Sequence, residues 1–131
     1  MAYPSGSGSE ILRRGSINTQ VAAETAFRFD GTDPTTGTTS YTVPANHIIT
    51  MLSITFCEQN DQTAATISLY ANKGHGSLPQ INFIVDQLIG FRQTFIFNDK
   101  FVLIGGDNLR VNSVASSNFD IWYSYVDQNW S

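Results

Sequence analysis

Along "TAATISLYA" (63–71) polar and apolar residues change places at almost every step, with Ala65, Ile67 and Leu69 on one side and Thr66, Ser68 and Tyr70 on the other. A period of two is the signature of a strand with one buried face. The same rhythm recurs in "TAFRFD" (25–30), "YTVP" (41–44), "HIITMLSITFC" (47–57), "INFIV" (81–85), "TFIFND" (94–99), "FVLIGGDNLRVNSV" (101–114) and "NFDIWYSYVD" (118–127). In the 47–57 run, Ile48, Leu52, Ile54 and Phe56 are expected on one face and Ile49, Met51, Ser53, Thr55 and Cys57 on the other. The runs are separated by breaker-rich stretches, "GTDPTTGTTS" (31–40), "EQNDQ" (58–62) and "NKGHGSLP" (72–79). Only "QVAAETAF" (20–27) and "VDQLIGF" (85–91) could hold a helical turn or two, and neither keeps helical apolar spacing over a full window. Short strands with turn signals at this density predict an all-β fold, an antiparallel β-sandwich of jelly-roll-like type. The runs at 47–57 and 63–71 are expected to form a hairpin.

The 131 residues suffice for one domain with its own core. Residues 1–19 break the rhythm: Gly6, Gly8 and Gly15 lie among serines, and Ile11-Leu12 stands beside Arg13-Arg14. The expectation is an extended N-terminal arm over 1–19 and a sandwich domain over 20–131. Such an arm reaches about 60 Å at about 3.3 Å per residue. It would dock Ile11 and Leu12 on a neighbouring molecule while Arg13 and Arg14 pair with acids there.

Chemistry is hard to find. Charged residues make up 14 % of the chain and the net charge is −4, which argues against nucleic acid as a partner. Cys57, the only cysteine, is expected as a small buried thiol rather than a nucleophile. His47 and His75 have no neighbours at metal-ligand spacing. The acids fall mostly in turns, where Asx bonding accounts for them. "GGDN" (105–108) joins two strands and lacks the lysine and helix start of a phosphate cradle. No catalytic residue, metal or cofactor is expected. No apolar run approaches the about 20 residues that span a bilayer, so no membrane partner is expected either.

The last strand is different. It carries Tyr123 and Tyr125 on one face and Trp122 on the other, and Trp130 follows near the end. A sheet with one wet face should show a polar alternate face. Rings on both faces predict that one of them meets another subunit. Ile11, Leu12, Arg13, Arg14, Trp122, Tyr123, Tyr125 and Trp130 are therefore the expected partner contacts.

"YTVPANHIITMLSITFC", "TAATISLYA", "TFIFNDKFVLIGGDNLRVNS" and "NFDIWYSYVDQNW" together resemble a recurrent small β-sandwich of tailed bacteriophages. Leu103, Gly106, Asp107, Leu109 and Val111 stand at the pattern positions of its strand–turn–strand signature. The resemblance covers about residues 40–131 and implies a non-enzymatic virion structural protein that works by oligomeric packing. Its implied place is capsid decoration (a cement protein), with a tail, neck, baseplate or fibre-adaptor subunit as the alternative. The implied partners are other virion proteins and like subunits, and assembly would take place in the host cytoplasm. A glycan-binding module that uses the C-terminal rings as a stacking platform is a third reading.

Overall fold

The computed structural model describes residues 9–19, 24–59, 64–73, 80–113 and 118–130; His75 lies outside them. Among the described residues the alternating runs become nine strands and no helix: β1 (Ser9–Thr19), β2 (Thr25–Ala26), β3 (His47–Glu58), β4 (Ala65–Asn72), β5 (Ile81–Ile89), β6 (Thr94–Phe97), β7 (Phe101–Ile104), β8 (Asn108–Ser113) and β9 (Phe119–Asn129). All pairings are antiparallel. One sheet runs β1-β9-β3, and the free side of β3 is taken by β7 near its start and by β6 near its end. The other sheet runs β2-β8-β4-β5. Their apolar faces close on one core, so the expected all-β sandwich is what forms.

The core is aromatic at its centre. Phe27 and Phe29 follow β2 and enter between the sheets, where Phe27 meets Tyr123 edge-on at 4.8 Å and Phe29 meets Tyr125 edge-on at 5.0 Å. Ile49, Met51, Ile54 and Phe56 of β3 close one side, and Ile67, Leu69, Leu109 and Val111 close the other. Each such side chain contributes about 1.5–3 kcal/mol by leaving water.

Several expectations are overturned. The arm is a strand over the described part of its length: Ser9–Thr19 pairs along the whole of β9, from Ser9 opposite Asn129 to Thr19 opposite Phe119. Ile17 is buried there, and Gly15 sits against the Tyr123 ring, where a larger residue would collide. The glycine that reads as flexibility in the sequence is the clearance that lets the strand dock.

The hairpin of 47–57 with 63–71 does not form, because β3 and β4 belong to different sheets. Both edges of β3 are already used, one by β9 and the other by β7 and β6. The faces of β3 also differ from a simple alternation. A bulge between Met51 and Ser53 shifts the phase, so Ile49 and Met51 share the inward face with Ile54 and Phe56. Cys57 then lies on the outer face, half-buried. "VDQLI" continues β5 and forms no helical turn.

The "YTVP" run is not a ladder strand, although Val43 accepts from Gly106 N–H and donates to Asp107 C=O, both at 2.8 Å. The Gly105–Asn108 turn links β7 to β8 across the two sheets. Gly106 has φ +92°, a conformation that favours glycine, and Asp107 takes the Ile104 N–H at 3.0 Å.

Candidate interaction surface

Pairing register fixes which side chains share a surface, because directly opposed residues point the same way. On the outer face of the first sheet one row runs Leu12, Val126, Thr50, Val102. A second runs Ser16, Trp122, Thr55, Ile96. Between them lies a row of short or flexible groups, Arg14, Ser124 and Ser53, with the two serine hydroxyls 3.3 Å apart. Four large apolar side chains stand well exposed on this face: Leu12 at 71 %, Ile96 at 58 %, Val102 at 57 % and Trp122 at 51 %.

Charge on the face is sparse, and Arg14 and Asp120 have partners there. The Arg14 guanidinium lies over the Trp122 ring at 4.8 Å, a cation–π arrangement that flattens both side chains onto the sheet. Asp120 accepts from Asn18 Nδ2 at 2.5 Å and from Gln59 Nε2. The outcome is a pleated, low-charge surface of Leu, Val, Ile, Trp, Ser and Thr with charges near its margins.

The expected contact residues divide between surface and interior. Leu12, Arg14 and Trp122 belong to the outer face, as register requires. Ile11 faces the other way near the end of β1 and is half-exposed. Arg13 is drawn inward, its Nε 3.6 Å from the buried Asp127 carboxylate, which also holds His47 Nδ1 at 2.7 Å. Asp127 thereby ties β1 and β3 to β9. Trp130 is partly buried, and its N–H donates to Asn46 C=O at 3.1 Å.

Tyr123 and Tyr125 are not surface residues; both rings are fully buried. Tyr123 donates to Arg28 C=O at 2.6 Å, and Tyr125 accepts from Gly31 N–H at 3.2 Å. Burial pushes the Tyr123, Tyr125 and Tyr41 phenols up, Tyr41 to about 12. With two of its four rings in the core, the stacking platform for glycans is absent in the form expected. Ile96 and Val102 were the members missed: each alternates with core phenylalanines or Leu103, and their outward side was legible from that alternation.

On the outer side of the other sheet, Glu24 accepts from Tyr70 OH and Arg110, and Ser68, Gln80, Asn82, Asn112 and Val85 complete a shallow polar groove. No group of three His, Cys, Asp or Glu side chains is placed to hold a metal among the described residues. No helix long and apolar enough to cross a bilayer occurs among them.

No protein-family model matches the sequence, and no curated protein matches it. Among solved structures, a chain from the structure of infectious bursal disease virus Gx strain aligns with TM-score 0.44 and 9 % identity, covering 91 % of this chain and 34 % of that one. The chain thus spans about a third of the virus chain it matches. At that identity and score the likeness assigns neither a family nor a role.

Proposed function

We propose that this protein is a non-enzymatic structural subunit of a virion, a capsid decoration protein that binds the shell through the outer face of its five-stranded sheet. The observation that carries this reading is the Leu12, Val102, Trp122 and Ile96 surface. Four large apolar side chains, each more than half exposed, share this one sheet face, and covering them on a partner would gain hydrophobic free energy. Sparse charge keeps the desolvation cost of covering it low. The motif resemblance of residues 40–131 to small phage β-sandwich proteins supports the same reading. Weak contacts repeated over many copies would add through avidity.

The test is to purify particles from producing cells by density gradient and quantify this chain in them. Many copies per particle at a fixed ratio to the shell protein is the expected result. One ring's worth of copies would instead assign it to a tail, neck or fibre adaptor, and absence from intact particles would overturn the virion reading altogether.

A further inference from the structure

Among the described residues β1 is the last strand on its side of the sheet, and none of their strands covers its other edge. In an antiparallel strand the N–H and C=O of one residue point to the same side and alternate along the chain. The free edge can therefore be read residue by residue. Ser16 N–H donates to Asp33 Oδ1 at 3.0 Å, and Asn18 C=O accepts from Thr36 Oγ1 at 2.9 Å. The 31–40 loop thus caps the second half of the edge with side chains. By the same alternation the main-chain groups of Glu10, Leu12 and Arg14 point outward, and that half carries no such cap from the loop.

This open half reads the same from either end. Leu12 lies at its middle, with Glu10 two residues before and Arg14 two residues after, all three on the outer face. A second copy laid antiparallel along this edge, with a twofold axis at Leu12, sets Leu12 against Leu12, Glu10 against Arg14 and Arg14 against Glu10. Each of these opposed pairs can exchange both main-chain hydrogen bonds. Each charge meets its opposite directly across the new ladder, the stabilising arrangement for cross-strand pairs. Ile11, half-exposed, then lies against the Arg13 stem of the second copy. The register has little freedom: one step toward Ser16 meets the Asp33 cap, and one residue of slip puts side chains on the wrong face.

We propose that the Glu10–Arg14 stretch of β1 is a homodimer interface, joining two copies into one continuous sheet. The long bare edge is then used rather than left as a template for uncontrolled pairing. This inference does not rest on the virion reading. A dimer absent from particles would leave it intact, and a monomer found in particles would sink it alone.

The test uses the full chain and two reversals. Sedimentation velocity over a concentration series should show a monomer–dimer equilibrium for the wild type. Arg14→Glu sets Glu against Glu twice and should raise the dissociation constant about tenfold or more. Adding Glu10→Arg restores opposite charges and should return it to near the wild-type value. Circular dichroism would confirm that each variant is folded. Amide hydrogen exchange supplies a second readout: the Glu10, Leu12 and Arg14 amides should slow as concentration rises, while Ser16, already bonded to Asp33, should not change. A wild type that stays monomeric, a double reversal that fails to recover, or exchange independent of concentration would overturn the proposal.

Discussion

Gly15 and Tyr123 face each other across the β1–β9 ladder, and the phenol ring fills the space a side chain at position 15 would need. The ring cannot retreat easily, because its hydroxyl is fixed on Arg28 C=O at 2.6 Å and Phe27 abuts its edge. Gly15→Val should therefore overpack the core and cost about 1–3 kcal/mol by urea denaturation. Ser16→Ala, one residue on and facing outward, should stay within about 0.5 kcal/mol. Equal midpoints for the two variants would mean that β1 is not docked as described.

Deleting residues 1–19 removes more than a tail. It withdraws Ile17 from the core and leaves the full eleven-residue length of β9 without its partner on one side. The truncated protein should lose much of its stability and tend to aggregate through the bared β9 edge. Thermal unfolding checks this, and an unchanged midpoint would contradict the pairing.

Trp122→Ser combined with Ile96→Ser should separate binding from folding. Both side chains are more than half exposed, so the double variant should unfold within about 1 kcal/mol of the wild type, allowing for the lost Arg14 stack. Its incorporation into particles should fall severalfold. Loss of stability without loss of incorporation would move the binding surface elsewhere.

Alkali should unfold the protein through its tyrosines. The Tyr41 phenol is pushed up to about 12 by burial, and burial raises Tyr123 and Tyr125 as well. A phenol whose folded value is raised favours the native state below its ordinary value of 10 and withdraws that stability as pH climbs toward the folded one. Phenolate absorbance should lag in native protein relative to protein in denaturant, then rise together with loss of structure. Coincident titration curves would contradict the burial of these rings.

Acid acts at a different place. Burial alone would raise the Asp30 carboxyl, but Arg28 and the Thr32 hydroxyl and amide outweigh it and hold it at about 2. Because the folded value is depressed, the contribution is present above 3.8 and disappears as pH falls toward about 2. The urea midpoint of the wild type should fall over that window more steeply than that of Asp30→Asn.

The two-residue rhythm revealed most strands because local alternation reports which face is buried. It misled where tertiary pairing decides. Leu52 sits in a bulge, so a strict count through β3 put Ile49 and Met51 on the wrong side. The β3–β4 hairpin looked natural from proximity in sequence, yet no information in either run says that both edges of β3 are needed elsewhere. β1 escaped notice because only one of its inward residues, Ile17, is both apolar and buried; Gly15 and Arg13 occupy the other central inward positions. Leu12, Arg14 and Ser16, which alternate with these three, face outward. Leu12 and Arg14 are legible as contact residues, but only the register places Val126 and Ser124 beside them and Val102 and Ile96 farther across the same face.

The partnership of the first strand with the last also governs when the molecule can take shape during synthesis. Among the described residues β9 is the only strand that β1 pairs with, and of the nine strands it is the last to be made. Ser9–Thr19 must therefore wait, solvated or guarded, while the strands between β1 and β9 are made. β3 waits too for the neighbour that will separate it from β1. Closure depends on contacts between remote parts of the chain, which makes it slow.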